Sequence, residues 1–234
     1  MEAYALRHIQ TVDSNFPITH PRIEQDLYHR LRWSYDSLPH AHLKTCFLYC
    51  VLFPEDWDVP VHIMVHMWIA EGMVKCKDAE ILVETAHSYV KLFADRCLFE
   101  LGSDDNWGLV FGVHDVVRDM AIYIAEKEEN GVSRAGQHCP DIEALLPDIE
   151  TRHACKRISL SGSNITSLPA KELGCPKLVG LHLVDNFELT EIPEAFLLNL
   201  TSLRVLDLGN TGLQSLPRSL WQLTQLEFLG LNLT

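Results

Sequence analysis

No glycine in the 234-residue sequence is followed by lysine, so no G-x-x-x-x-G-K-[ST] phosphate loop is present. G-x-G-x-x-G and G-x-S-x-G are also missing, which removes the usual dinucleotide fingerprint and the nucleophile elbow. Basic charge is scarce: 19 Lys and Arg stand against 32 Asp and Glu, a net −13. Such a chain repels a polyphosphate backbone, which argues against nucleic acid as a partner. No apolar run approaches the roughly 20 residues of a membrane-spanning helix. The opening "MEAYALRHIQTVDSNFPITH" has no apolar stretch of the kind that marks a secretory signal. Seven cysteines, an odd number at irregular spacings, fit free thiols in a reducing, cytoplasmic setting better than a disulfide framework. The N-x-T sequons at Asn164, Asn199 and Asn232 carry no weight there.

What the chain does have is apolar content, 47%, and a repeat. From Cys155 onward the pattern L-x-x-L-x-L recurs four times, most cleanly in "LRVLDLGNTGLQSLP". Its register residues Ile158, Leu181, Leu206 and Leu229 sit 23, 25 and 23 apart, inside the period of leucine-rich repeats. Each L-x-L predicts a short strand with its leucines inward, and a Leu-Pro pair closes the turn against a regular helix. One repeat cannot bury its own leucines, so neighbours must stack. Ser163, Asn186, Thr211 and Thr234 fall at the bend and are expected to hydrogen-bond buried backbone there. Between the leucines, Arg157, Ser159, His182, Val205, Asp207 and Phe228 are expected to face solvent on the concave side as the candidate partner surface.

Residues 1–130 read differently and carry most of the acidity, with 11 Lys and Arg against 21 Asp and Glu. Ile23, Leu27, Leu31 and Tyr35 make a helical stripe. "HLKTCFLYCVLF" predicts an apolar helix stopped at Pro54, and "VPVHIMVHMWIAEG" one that begins near Pro60 and ends at Gly72. "DAEILVETAHSYVKLFADRCL" is a long amphipathic pattern. Two strand candidates, 98–101 and 109–113, flank "GSDDNWG", and a further helix opens at His114-Asp115. Several helices followed by a β-hairpin is the order of a winged-helix domain. The predicted class is therefore α+β: a mostly helical winged-helix domain at 21–130, the end of a preceding helical subdomain at 1–20, a linker at 131–154, and about four leucine-rich repeats at 155–234, the last incomplete.

Three chemistries compete for these residues. Cys46-x3-Cys50 and His62-x3-His66 approach a zinc-finger spacing, but the cysteines fall in an apolar helical run rather than on a knuckle, so core packing is the expected role and no metal is expected. Ile63 stands where a metalloprotease helix needs its glutamate. A winged helix often binds DNA, yet the candidate recognition helix carries Asp78, Glu80, Glu84 and Asp95 against Lys91 and Arg96. The His114-Asp115 pair has two readings: Asp115 as a helix cap, or the pair as an anion site at a helix N-terminus.

Three motifs in order resemble a known family. "LRWSYDSLPHAHLKTCFLYCVLFPEDWDV", "MWIAEGMV" and "VHDVVRDMAIYIA", followed by the repeats, are similar to plant nucleotide-binding leucine-rich-repeat disease resistance proteins, in detail the coiled-coil subclass. The third corresponds to that family's Met-His-Asp motif, with Val113 in place of Met. The resemblance implies an ADP/ATP switch in which His114 contacts the ADP phosphate from the winged helix and Asp115 shapes its loop. It implies repeats that restrain the switch and sense a pathogen effector or a guarded host protein. The family's phosphate loop and Mg²⁺-binding aspartate have no counterpart here, so the chain is expected to be a fragment, to be no enzyme, and to hold neither ADP nor ATP tightly alone. A repeat-containing scaffold or decoy without a nucleotide role is the alternative, and a DNA-binding winged helix the third reading.

Overall fold

A computed structural model of the chain describes residues 25–127, 131–134 and 142–232. The expected subdomain at 1–20 and the Ile23 end of the first helical stripe lie outside them. Helix α1 spans Gln25–Asp36 and buries Tyr28 and Tyr35, two turns apart on one face. Helix α2, Ala41–Leu48, tightens into a 3-10 turn at Tyr49–Leu52 and ends before Pro54, whose ring disfavours helix in the preceding residue. Strand β1 is the pair Val59–Pro60; Pro60 also caps α3, Val61–Ala70, which stops at Gly72 with φ +70°. Helix α4, Leu82–Asp95, follows a 3-10 turn capped by the Asp78 carboxylate and buries Ala86, Tyr89, Val90 and Phe93, the i, i+3, i+4, i+7 face.

Strands β2 (Glu100–Asp104) and β3 (Gly108–Gly112) form the wing, antiparallel, with Leu101 opposite Phe111. The turn is narrower than the sequence pattern predicts: Asp104 accepts from the N–H groups of Asn106 and Trp107, and Gly108 takes φ +72°. A third strand, β1, pairs with β3, a partner that the helix-start reading of Pro60 leaves out. Helix α5, Asp115–Lys127, closes the domain by burying Val117, Met120, Ala121, Ile124 and Ala125. Trp68, Phe47, Phe93 and Phe111 are fully buried at its centre.

The second half is a parallel sheet of five strands: β4 Val132–Arg134, β5 Arg157–Ser159, β6 Gly180–His182, β7 Val205–Asp207 and β8 Phe228–Gly230. Ile158, Leu181, Leu206 and Leu229 pair across it in the register the period predicts. The described parts of the expected linker, 131–134 and 142–154, are instead structured: β4 joins the sheet beside β5, and two short helices lie further on, α6 (Ile142–Leu145) and α7 (Ile149–Ala154). Ser133 pairs with Ile158, so the repeat extends one strand further back, with a polar residue where leucine is expected. At the bends, Asn186 donates to the carbonyls of Leu160, Leu183 and Val184 and accepts from the Ile165 N–H, and the Thr211 hydroxyl donates to the Leu208 carbonyl. Ser163 departs from the expectation, since its buried hydroxyl has no partner, and Thr234 lies outside the described residues.

Candidate functional site

His114 is the N-cap of α5, one residue earlier than the sequence reading put the cap. Its carbonyl accepts from the Arg118 N–H at 2.9 Å, the first helical bond, and its Nδ1 accepts from the Val116 N–H at 3.4 Å. Asp115 is therefore the first helical residue, where its carboxylate favours the positive end of the dipole without capping it. With Nδ1 accepting, the proton of a neutral His114 ring sits on Nε2. Both side chains are exposed, and Val113 behind them packs against the winged-helix core. A cavity of about 330 Å³ lies beside His114, bounded by Phe53, Asp56, Asp58, Glu100 and Arg118.

Arg118 is a residue that the sequence reading passed over. Its guanidinium is buried and donates to the Cys50 and Phe53 carbonyls at the end of the 3-10 turn, so it ties the first turn of α5 to the end of α2. At this helix N-terminus the donors are the His114 Nε2–H and the first-turn N–H groups that no helical carbonyl reaches. The carboxylates around the neighbouring cavity oppose a second anion.

Cys46 and Cys50 lie in the core, where burial pushes both thiols up to about 12, while His62 and His66 are on the exposed face of α3. Among the described residues no three His, Cys, Asp or Glu side chains converge as ion ligands. His66 Nδ1 lies 2.6 Å from the His62 carbonyl, and the His62 ring stacks over Trp107.

The expected partner surface requires the larger correction. The concave side of the sheet does not face solvent; it is packed against the winged helix. His182 is fully buried, Val205 belongs to the winged-helix core, Phe228 packs against that core, and Ser159 and Asp207 are buried. Ser159 donates its hydroxyl to the Leu52 carbonyl, and Arg204 donates to the Ala70 carbonyl at 3.3 Å. The centre of the contact is polar. Glu71, at the end of α3, receives Arg157 from β5 at 2.6 Å and the Tyr49 hydroxyl at 2.8 Å. His182 Nε2 lies 3.3 Å from that same hydroxyl, with the rings edge to face, and Nδ1 has no partner. Gly180, between Arg157 and Val205 in the ladder, leaves room for the cluster: a Cβ there would lie 2.8 Å from Glu71 Oε1. Burial pushes His182 down to about 3, with Arg157 adding to the effect, so the ring is neutral. The alternating pattern marked these residues as lying between the leucines, but it held no sign that a second domain covers them.

The chain is thus built in two parts, a winged-helix domain packed onto the concave face of a leucine-rich-repeat sheet. Both parts match known families. The disease resistance protein winged helix domain covers residues 52–121, and a leucine rich repeat family covers 176–233. Among similar Arabidopsis thaliana proteins, disease resistance protein RFL1 is 33% identical over 216 residues, 90% of this chain and 24% of that protein. RPS5 is 31% identical over 233 residues, 89% of this chain and 26% of its own length, and UNI is 35% identical over 210 residues, 87% and 22%. The chain belongs to the plant disease resistance proteins that carry a winged helix domain and leucine-rich repeats. It spans about a quarter of the length of these relatives. Among the described residues no helix is long and apolar enough to cross a membrane.

Proposed function

We propose that this chain is the regulatory and recognition segment of a plant immune receptor acting in the cytoplasm. Its winged helix would form one wall of an ADP/ATP switch, and its repeats would restrain that wall until a pathogen effector or an altered host protein intervenes. The observation that carries the switch is His114: an exposed imidazole at a helix N-terminus, with Nδ1 engaged by the backbone and Nε2–H free to donate to phosphate. The restraint rests on the buried contact of Arg157, Ser159, His182 and Val205 with the winged helix. A partner sensed through these repeats must displace that contact or bind outside it.

By itself the chain is expected neither to hold ADP tightly nor to hydrolyse ATP, because it carries no phosphate loop and Asp56, Asp58 and Glu100 border the cavity beside His114. Joined to a complete phosphate-loop module from a close relative, it is expected to retain ADP. A charge-assisted hydrogen bond contributes about 1.5–3 kcal/mol, so His114→Ala in that chimera should weaken ADP by about ten- to a hundredfold. ATP, expected in the open state, should be affected less. Unchanged ADP affinity would leave His114 as a helix cap only and favour a protein-interaction scaffold or decoy without a nucleotide role.

A further inference from the structure

At the seam between the wing and the repeats is a cavity of about 140 Å³ that adjoins the one beside His114, with Phe53, Trp57, Asp58 and Val59 common to both. Its walls are aromatic. Phe53 and Trp57 form a corner, with ring centroids 5.9 Å apart at 51°; Trp107 stands at the wing tip, partly exposed, and Phe228 lines the opposite side. Three aspartates also line the cavity, Asp58, Asp185 and Asp207; Asp58 is exposed, and Asp207 is the buried one. Asp207 is only 6% exposed, and its Oδ1 accepts from the Gly209 N–H at 3.2 Å. No cation or further donor reaches it among the described residues. Asp185 also lines the cavity, with the Asn210 amide donating to it.

The backbone is shaped around that carboxylate. Gly230 pairs with Asp207 across the sheet, and a Cβ there would lie 2.2 Å from Asp207 Oδ1. Burial, and then Asp185, raise Asp207 to about 6, so it still carries charge at neutral pH without a counter-charge. A metal ion does not fit the surroundings, because among the described residues no three His, Cys, Asp or Glu side chains converge as ligands. An organic cation uses both features, its charge on the carboxylate and its alkyl or planar face on the rings. A dry cavity of about 150 Å³ accommodates a molecule of benzene's size, which is the scale of one guanidinium or alkylammonium head.

We propose that this seam is a binding site for a side-chain-sized organic cation, a guanidinium or alkylammonium group, with Asp207 as its counter-charge and Trp57, Trp107 and Phe228 as its walls. The assignment goes beyond the nucleotide reading and stands without it. The test is a titration of the full chain with methylguanidinium chloride and n-butylammonium chloride at constant ionic strength, following the indole N–H resonances of Trp57 and Trp107. Saturable shifts with either cation, and none with the neutral isostere methylurea, are expected. Asp207→Asn preserves shape and the Gly209 bond, and should weaken binding by about ten- to a hundredfold. Trp107→Leu, at the exposed wing tip, should also weaken it while leaving the circular dichroism unchanged. A short peptide with a single arginine identifies the source: tighter binding than methylguanidinium points to a protein side chain, and equal or weaker binding to a free small cation. Equal response to methylurea, or full affinity in folded Asp207→Asn, would overturn the assignment.

Discussion

Acidification should expose the buried imidazole between the two halves. His182 sits against Tyr49 and Phe53 with Arg157 close by and its Nδ1 unpaired. Burial lowers it to about 3 from an ordinary 6.5. Between those values the unfolded chain binds a proton that the folded chain refuses, so stability falls as pH drops through 6.5. At about pH 5 the loss from this one group is about 2 kcal/mol relative to neutral pH. Asp207 works in the opposite direction. Burial raises it to about 6 from 3.8, so the folded chain keeps its proton longer, and stability falls as pH rises from about 4 through 6. From about pH 7.5 to about pH 5 it returns about 1.4 kcal/mol, which masks roughly two-thirds of the histidine effect. The measurement therefore belongs in Asp207→Asn. Urea unfolding of Asp207→Asn at the two pH values should show about 2 kcal/mol more loss on acidification than Asp207→Asn/His182→Phe, which keeps a ring against Tyr49 but cannot titrate. Equal pH dependence in the two proteins would mean that His182 is hydrated or paired, and that the concave face is not sealed as described.

Leu206→Ala, at a fully buried position in β7, should cost about 2–5 kcal/mol in urea unfolding. Glu71→Ala leaves Arg157 buried without its carboxylate and should cost about 3–5 kcal/mol, and Glu71→Ala/Arg157→Ala should recover part of that loss. Purified protein should contain no stoichiometric zinc by mass spectrometry, and a chelator should leave the Tm unchanged; loss of one zinc per chain together with helicity would overturn the core role of Cys46 and Cys50.

Periodicity exposed most of this fold, because period and burial are local. The spacing of Ile158, Leu181, Leu206 and Leu229 sets the sheet register, and Pro54 and Gly72 end their helices where their backbone chemistry requires. The strand at Val132–Arg134 escaped because Ser133 occupies its leucine position, although stepping back 25 residues from Ile158, a spacing the array uses elsewhere, lands on it. The cap at His114 rather than Asp115 was hidden by residue preference, since aspartate is the stronger capping type and only the bonds from Val116 and Arg118 locate the helix start. The burial of Arg157, His182 and Asp207 could not be read locally at all. Alternation identifies the two faces of a strand; it does not say what packs on either one.

That last point alters how the repeats can act. A concave face carrying arginine, histidine and aspartate looks, in sequence, like a polar surface awaiting a ligand. In the structure each has a different energetic position. Arg157 has a buried partner in Glu71, so separating the domains leaves two charges to be hydrated together. His182 and Asp207 lack such partners and gain hydration on separation. The contact therefore combines an ion pair, whose lost attraction and regained hydration largely offset on opening, with two groups whose hydration favours it. Apolar packing of Val205 and Phe228 on the winged-helix core adds to the closed side. A contact balanced in this way can be released by a modest change at any one of its members, whereas a uniformly apolar seam would need most of its area to be displaced.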